Sequence, residues 1–423
     1  MNCTQNQKIN QVQSDTLVVG IDIAKHRHYA CAVDDRGREL AKAFSFYQSH
    51  EGFEGLLHRV YDLMQEHGKS TVLIGMEPTG HYWLNVAYFL QDHGIPIVIV
   101  NPMHVKKSKE LDDNSPTKND RKDARTIAKL MKDGRFSYPR IVEGKEADLR
   151  VGAKLREQLV EKRHTLLNSI HRFTDRYFPE FPKVFPKMGK MAFAVLEKTP
   201  MPSDFQNREV EELMDVWRTG TDLKNPQRKK ALQLLELAQT SIGVTEGEGM
   251  ARLEIATLLS QYRLINEQLN QVEAELEQLV QTFVEFEWLT SIPGLGALTI
   301  AELLSEIGSL SRYKDPRQIM KLAGLNLKES SSGKHKGQRR ISKRGRSRLR
   351  AVLFRVMMPL VRHNVAFKQL HHYYTTRTVN PLKKKQSIVV LCGKLIRILY
   401  ALGTKLEPFC PERMVADIPT LAS

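Results

Sequence analysis

The sequence predicts an α/β domain, then a long helical coiled-coil link, then a mainly α-helical domain. Three observations predict this order. Short β-branched runs alternate with segments of helical spacing near the N-terminus, strict leucine-rich heptads follow in the middle, and the C-terminal third shows helical patterns. We therefore expect domains at residues 14–145, 146–286 and 287–405, with a loose tail at 406–423.

The N-terminal domain reads as a mixed sheet with helices on its faces, because strand-like and helical segments alternate along it. The first run, TLVVGIDIA, has the β-branched character of a buried strand. The expected strands are 16–24, 28–35, 39–46, 71–77 and 95–100, and the expected helices are 51–66, 82–92 and 119–133.

The link is predicted to contain two long helices. The first carries an apolar stripe over residues 147–177. The second carries two heptad seams, which predict a coiled coil and hence self-association to a dimer or tetramer. The rival interpretation is a helix packed inside its own protomer, including against 147–177. Residues 178–250 form an insertion whose proline-rich part, 178–226, predicts no regular element. The seams are Leu258, Ile265, Val272, Leu279 and Phe286, with Tyr262, Leu269, Leu276 and Phe283.

Composition points to a nucleic-acid partner and away from membranes. The formal net charge is +16 and the pI is about 9.5, so the chain favours polyanions. It has no run of 18 or more apolar residues and a polar N-terminus, so we expect neither a membrane span nor a signal peptide. Its four cysteines show no CxxC spacing, which fits a reducing cytoplasm and argues against structural zinc.

Four acids are the candidate metal ligands. Asp22 and Glu77 fall at the ends of apolar strands, where a carboxylate is costly to bury without a cation or donor. Asp120 and Asp123 lie three apart at the start of a helix and share a face. Oxygen donors without a Cys or His cluster indicate Mg²⁺ or Mn²⁺. Two such ions, roughly 3.5–4 Å apart, can stabilise both oxygens of a phosphodiester exchange.

Each acid also has a structural interpretation. Asp22 reads equally as a strand-end cap, Glu77 as a turn residue, and Asp120 with Asp123 as acids favoured by a helix dipole. Spacing alone does not show that the four converge.

A basic stretch is the second signal. Between Lys321 and Arg350 there are eleven Lys or Arg residues and one acid, Glu329, which indicates phosphate contact rather than a solvated face of mixed charge. Upstream, the glycine turn at 292–296 opens a helix with free backbone donors, as in a helix-hairpin-helix element. The candidate nucleic-acid-binding residues are Pro293, Gly294, Gly296, Lys334, Lys336, Arg339, Arg340, Lys343, Arg344, Arg346 and Arg348.

The serines at 330–332 lie within this stretch and read either as a flexible loop or as a source of a nucleophile. A serine hydroxyl is a weak nucleophile unless a base or metal activates it, and neighbouring cations would hold the phosphate that it attacks.

The ordered motifs GIDIAK, GMEPTGHYW, KNDRKDA, SIPGLG, KLAGLN, SSG and ISKRG resemble those of the DEDD transposases of bacterial insertion sequences, the bridge-RNA-guided recombinases. The resemblance covers about 14–145 and 287–400. It implies a RuvC-like (RNase H-like) N-terminal domain whose four acids match Asp22, Glu77, Asp120 and Asp123. It also implies a C-terminal transposase domain with a serine nine residues after the alanine of the AGL motif.

Counting from Ala323, that serine is Ser332, and Ser331 is the alternative register. By resemblance, it attacks a DNA phosphate and forms a phosphoserine link, while the metal site of a partner protomer activates the reaction. The resemblance further implies donor and target DNA, a structured guide RNA, and action at the bacterial nucleoid. The insertion at 178–250 is longer than the family pattern, and Asn326 and Leu327 stand where a proline is common.

Two other functions remain open. A junction-resolving nuclease would use the same acids with metal-activated water and would need no serine. A non-catalytic nucleic-acid-binding scaffold would use the acids only as caps.

Overall fold

The chain divides into two units, Met1–Val142 and Glu143–Ser423. The structure is a computed structural model that describes residues 4–112, 120–221, 223–328, 331–332, 335–336 and 340–416, with the side chains of 110–112, 331–332 and 335–336 outside the description.

A six-stranded mixed sheet forms the centre of the first unit, as the alternating pattern predicts. Its order is β3-β2-β1-β4-β5-β6. Strands β1, β4 and β5 are mutually parallel, and β2, β3 and β6 join antiparallel. The strands are β1 (Thr16–Asp22), β2 (Arg27–Val33), β3 (Phe44–Tyr47), β4 (Thr71–Met76), β5 (Ile97–Val100) and β6 (Phe136–Ser137).

Helices cover both faces of this sheet. Apolar residues of α2 and α3 pack on one face, and those of α4 and α5 pack on the other. Each face thus buries its own apolar cluster, which explains why β1 is buried along almost its whole length. The helices are α1 (Gln5–Ile9), α2 (His50–Glu66), α3 (Trp83–Asp92), α4 (Pro102–Asp112) and α5 (Asp120–Lys132).

The third strand is shorter than the expected span of 39–46. Glu39 makes only an isolated bridge with Val33, and the paired strand starts at Phe44. The reason is the turn before it, where the Asp34 carboxylate accepts hydrogen bonds from the backbone N–H groups of Arg36 and Arg38. These bonds hold the chain in a turn instead of a ladder.

The two long helices of the link pack against each other within one protomer. The second ends at Gln281, so Phe283 and Phe286 of the predicted seams lie beyond it. Leu269 and Leu276 are buried inside the protomer, as in the rival interpretation of the heptads. The helices are α6 (Gly144–Tyr177), α7 (Phe181–Val184), α8 (Lys190–Lys198), α9 (Val210–Arg218), α10 (Arg228–Gln239) and α11 (Glu248–Gln281), with a 3₁₀ turn at Pro202–Phe205.

The insertion is a helical subdomain with its own core. Helices α7 to α10 pack on the end of α6 and the start of α11. The fully buried Trp217 lies in this core and donates a hydrogen bond from Nε1 to the Thr199 hydroxyl, at 2.8 Å. The region without a predicted element is therefore ordered by packing rather than by a strong local pattern.

The described residues of the C-terminal part form seven helices, in agreement with the helical patterns of this third of the sequence. The helices are α12 (Phe286–Thr290), α13 (Ala297–Ile307), α14 (Pro316–Leu322), α15 (Ser347–His363), α16 (Val365–Thr376), α17 (Lys384–Lys405) and α18 (Pro411–Val415), with a 3₁₀ turn at Leu310–Arg312 and short strands β7 (Leu327–Lys328), β8 (Ser331–Ser332), β9 (His335–Lys336) and β10 (Arg340–Ile341).

Among the described helices, α17 alone has the length and apolar composition of a membrane span. Its apolar side chains belong to the C-terminal core, as in an ordinary core helix.

The tail is ordered further than expected. Met414 is buried in the C-terminal core, and the Phe409 N–H donates to the Ser291 hydroxyl at 2.8 Å.

Candidate active site

Asp22 and Glu77 lie at the carboxyl ends of two neighbouring parallel strands. The register pairs Ile21 of β1 with Met76 of β4, the residue before each acid. Parallel neighbours leave the sheet at the same edge, which is where open α/β sheets bind their ligands. Both side chains are partly exposed there.

Helix α5 approaches β1 closely because Gly20 has no side chain. A Cβ atom at Gly20 would lie 2.4 Å from both the Ala124 carbonyl oxygen and the Ala128 nitrogen. Gly75, the register partner of Gly20, makes similar room for α5 on β4. Each glycine stands two residues before an acid, so the same feature seats the helix beside both acids.

Asp120 and Asp123 lie in the first turn of α5. The helix dipole favours carboxylates there. Asp123 is buried, whereas Asp120 is partly exposed.

The four acids act on one another electrostatically. Burial, and after it repulsion from Asp123, Asp120 and Glu77, raises the pKa of Asp22 to about 7, and Lys109 opposes this rise. Such an effect needs like charges at short range. The acids therefore lie close enough together to destabilise the charged form of Asp22.

Lys109 is a member of this site that sequence reasoning missed. Its ammonium on α4 contacts the Asp123 carboxylate. Burial raises the pKa of Glu77, repulsion from Asp123 adds to the rise, and Lys109 opposes it. The only sequence signal for Lys109 is a basic run, MHVKKSKE, shortly before the second acid pair.

The donor set fits a hard divalent cation in kind, because four carboxylates carry more negative charge than Lys109 neutralises. Within the described ranges, however, no three His, Cys, Asp or Glu side chains are arranged so that they could hold a metal ion.

The loop after β1 is held by the buried His28. Its Nδ1 accepts from the Ala24 N–H at 3.2 Å, and its Nε2 lies 2.5 Å from the Gln48 amide oxygen. Burial lowers the pKa of His28, which favours the neutral ring. His28 thus positions the loop that follows Asp22.

In the second unit, the AGL and SKRG motifs interlock. A Cβ atom at Gly345 would lie 2.4 Å from the Leu322 carbonyl oxygen and 2.6 Å from the Gly324 nitrogen. The Arg346 N–H donates to Leu322 at 2.7 Å, and the Lys343 N–H donates to Gly324 at 3.0 Å. These contacts hold the two ends of the basic stretch together. Between those ends, β7 pairs with β10 and β8 pairs with β9.

The predicted cations of this stretch fall into two groups. Arg340, Lys343 and Arg344 are exposed. Arg346 and Arg348 are mostly covered, and both form ion pairs with the buried Glu306, at 3.6 and 3.4 Å. The second pair therefore also anchors α15 to α13.

For three predicted cations and both candidate serines, the structure describes no side chain. Lys334 and Arg339 lie outside the described residues. Lys336, Ser331 and Ser332 are described by backbone alone, with Ser331 opposite Lys336 and Ser332 opposite His335.

The predicted glycine turn connects α12 and α13. Pro293, Gly294 and Gly296 are exposed, and Gly294 has a φ of 95°, which suits glycine. Gly296 is the N-cap of α13 and has no side-chain cap. The amide of Asn364 donates to the Pro293 carbonyl at 3.0 Å and holds the turn against the start of α16.

Two family models match the chain. A transposase model of the DEDD type matches residues 19–179, and a model of the transposase IS116/IS110/IS902 family matches residues 287–372.

Whole-chain relatives carry related names. The transposase for insertion sequence element IS1111A of Coxiella burnetii is 24% identical, covering 95% of this chain and 94% of its own length. The insertion element IS116 protein of Streptomyces clavuligerus is also 24% identical, with 95% and 98% covered. The pilin gene-inverting protein of Moraxella bovis is 23% identical, with 92% and 97% covered.

Proposed function

Since the chain belongs to the IS116/IS110/IS902 family of insertion-sequence transposases, we propose that it is a DNA recombinase that cuts strands at its four acids and rejoins them through a serine. One observation carries the acid half of this proposal. Burial, and after it repulsion from Asp123, Asp120 and Glu77, holds the pKa of Asp22 well above its ordinary range. A carboxylate perturbed in this way beside three other acids, at the carboxyl edge of a sheet, supports a functional site over four separate caps.

The first unit would then be a RuvC-like (RNase H-like) domain. Its strand order supports this, with an antiparallel β1–β2–β3 meander joined through β1 to the parallel β4 and β5 and with helices on both faces.

Asp22, Glu77, Asp120 and Asp123 are the residues that would hold Mg²⁺ or Mn²⁺, and their side chains would have to converge further than in this structure, since among the described residues no three are arranged to hold an ion. When bound, such an ion would neutralise the carboxylates and polarise a phosphodiester. Lys109 would have to move off Asp123, and it would remain near enough to contact a DNA phosphate.

The serine would act from the basic stretch. The hydroxyl oxygen of Ser332, or of Ser331 in the other register, would form an ester with a backbone phosphorus. The bond from that phosphorus to one DNA oxygen would break, and that oxygen would take up a proton as the hydroxyl loses one. Arg340, Lys343 and Arg344 would hold the phosphate, and reversal of the step on a second strand would rejoin the DNA.

Self-association would bring the acids of one chain to the serine of another. An apolar groove along α6 and α11 supports it, since two cavities of about 690 and 660 Å³ lie there. Leu155 and Leu264 line them and are 42% and 53% exposed. A structured guide RNA would complete the assembly by pairing with donor and target DNA. Only the resemblance to the family supports this part of the proposal.

A covalent adduct is the direct test of the serine. Protein, RNA co-purified with it, DNA and Mg²⁺ are incubated, denatured and run on a gel. We expect a band of protein-linked DNA that is lost in Ser332→Ala, or in Ser331→Ala if the register differs by one. An adduct that survives in both variants contradicts the assignment.

The same gel separates the alternative function. Free DNA ends without any adduct, dependent on Asp22, would identify a junction-resolving nuclease that uses metal-activated water. Cleavage that is unchanged in Asp22→Ala would remove the acids from the chemistry and contradict both functions.

A further inference from the structure

Beside Asp22, a row of aromatic and cationic side chains crosses the outer strands of the sheet, with Tyr29 half-buried and Arg27 and Tyr47 exposed. The register places Tyr29 of β2 opposite Asp22, and it places Arg27 opposite Tyr47 of the edge strand β3. Paired residues on neighbouring strands point to the same face. The row Tyr29–Arg27–Tyr47, here called the tyrosine ladder, therefore shares a face of the sheet with Asp22.

This face is also the one that α5 covers. Gly20 and Asp22 lie two apart on β1, and the Gly20 side of the strand faces Ala124 and Ala128 of α5. The ladder thus continues outward from the acids, on the face where Asp123 lies, instead of occupying the back of the domain.

The ladder is a stack held together by the arginine. The Arg27 guanidinium lies 5.7 Å from the ring centroid of Tyr29 and 5.6 Å from that of Tyr47. Its Nε donates to the Ser45 hydroxyl at 2.9 Å. Among the described residues, no carboxylate forms an ion pair with Arg27, so its charge is available to an anion.

The ladder is more open than a structural cross-strand pair requires. Tyr47 is 60% exposed at the edge of the sheet, and Arg27 is exposed beside Lys25 and His26. Exposed aromatic faces interleaved with cations are what unpaired nucleic-acid strands bind, since bases stack on the rings and phosphates contact the cations.

We propose that the tyrosine ladder binds unpaired nucleotides of the DNA strand whose phosphodiester lies at the acids. Tyr47 and Tyr29 would receive bases by stacking, and Arg27 would contact the backbone between them. The ladder is then a positioning surface for the strand to be cut, and the inference rests on the proposed DNA recombination.

Binding without metal tests the ladder separately from catalysis. The full-length protein in EDTA is titrated against fluorescent oligo(dT), a duplex of the same length, and oligo(rU). For Tyr47→Ala we expect binding of oligo(dT) to weaken about 10-fold, in line with the loss of one stacked base. Tyr47→Phe should restore binding, and the duplex should be unaffected.

A matched control is available in Tyr61, which is 50% exposed on α2, on the opposite face of the sheet. Tyr61→Ala should leave oligo(dT) binding unchanged, and equal melting temperatures would show that both variants are folded. The ladder is overturned if Tyr47→Ala leaves oligo(dT) binding unchanged or weakens duplex binding equally. A loss seen with oligo(rU) but not with oligo(dT) overturns the choice of DNA.

The outcome is distinguishable from failure of the proposed function. If the protein and its variants form no covalent adduct but Tyr47→Ala still binds oligo(dT) more weakly, the proposed serine chemistry is contradicted and the proposed role of the tyrosine ladder is supported. If adducts form normally in Tyr47→Ala and oligo(dT) binding is unchanged, the proposed role of the tyrosine ladder is contradicted and the proposed serine chemistry is supported.

Discussion

At the scale of single residues, the fold places four acids and one lysine together and so destabilises the charged form of Asp22. Asp22 could be named from sequence because an acid ends an apolar strand. Lys109 could not, since a lysine in a basic helix carries no signal of its own and only the fold brings it to Asp123. A carboxylate whose charged form is destabilised is expected where a cation binds.

Asp22 should therefore reduce stability in a pH-dependent way. Its pKa is about 7 in the folded protein against 3.8 in the unfolded chain. The folded state thus holds the proton to higher pH, and stability falls as the pH rises from about 4 to about 7. Without metal, Asp22→Asn should raise the free energy of unfolding by about 2 kcal/mol at pH 8, after allowance for partial exposure.

The same substitution should change little at pH 4. Denaturant unfolding at both values checks this, with Asp62→Asn on the exposed side of α2 as the control. An equal effect of Asp22→Asn at both pH values would show that its charge is not the cause.

At the scale of elements, two features decide how the helices sit. One is the backbone contact of α5 on β1 at Gly20. The other is an ion-pair network on α13, in which buried Glu302 contacts Arg156 of α6 at 2.7 Å and also contacts Arg355 of α15. Periodicity predicts that α5 and α13 exist, but it does not predict which backbone atoms or charges meet.

Gly20→Ala should destabilise the first unit by about 2–4 kcal/mol, because its Cβ would collide with backbone atoms of α5 that cannot rotate away. Thermal and denaturant unfolding measure this. Gly55→Ala is the matched control, since Gly55 lies in helix α2 with nothing within 4 Å of its added Cβ. That change should be neutral or stabilising by about 0.5–1 kcal/mol. Equal effects of the two would contradict the close approach.

Glu302→Ala should cost about 1–3 kcal/mol, because it removes the buried carboxylate that Arg156 and Arg355 share. The loss is moderate, since Arg156 keeps its ion pair with Glu273 and Arg355 is mostly exposed. The exposed Glu277 of α11 provides the comparison, and Glu277→Ala should change stability by less than about 0.5 kcal/mol. A loss below about 1 kcal/mol for Glu302→Ala would mean that the network does not join these helices.

At the scale of the whole molecule, sequence patterns predicted the order of architectures but not how the link is packed. The heptads identify α11 as a helix with an apolar seam. They do not show whether that seam packs on α6 of the same chain or on a partner chain, because either arrangement would bury it. The insertion escaped prediction for a related reason. Its short helices are stabilised by a shared core around Trp217, and such packing joins residues that are distant in sequence.

The candidate serines show the same limit at the site. Their position in a basic stretch and the motifs around them suggest a nucleophile, whereas no local pattern tells which chain's acids they meet. The central claim is that acids and serine form one composite site between protomers.

Mixing two inactive proteins tests that claim most directly. Asp22→Ala lacks a proposed metal ligand, and Ser332→Ala lacks the proposed nucleophile, so neither variant alone should form a protein–DNA adduct. If chains share sites, the mixture should regain adduct formation, with the DNA linked only to the Asp22→Ala chain, marked by a size tag. Two proteins that are each inactive and remain so when mixed, while co-assembling and binding DNA normally, would contradict a composite site.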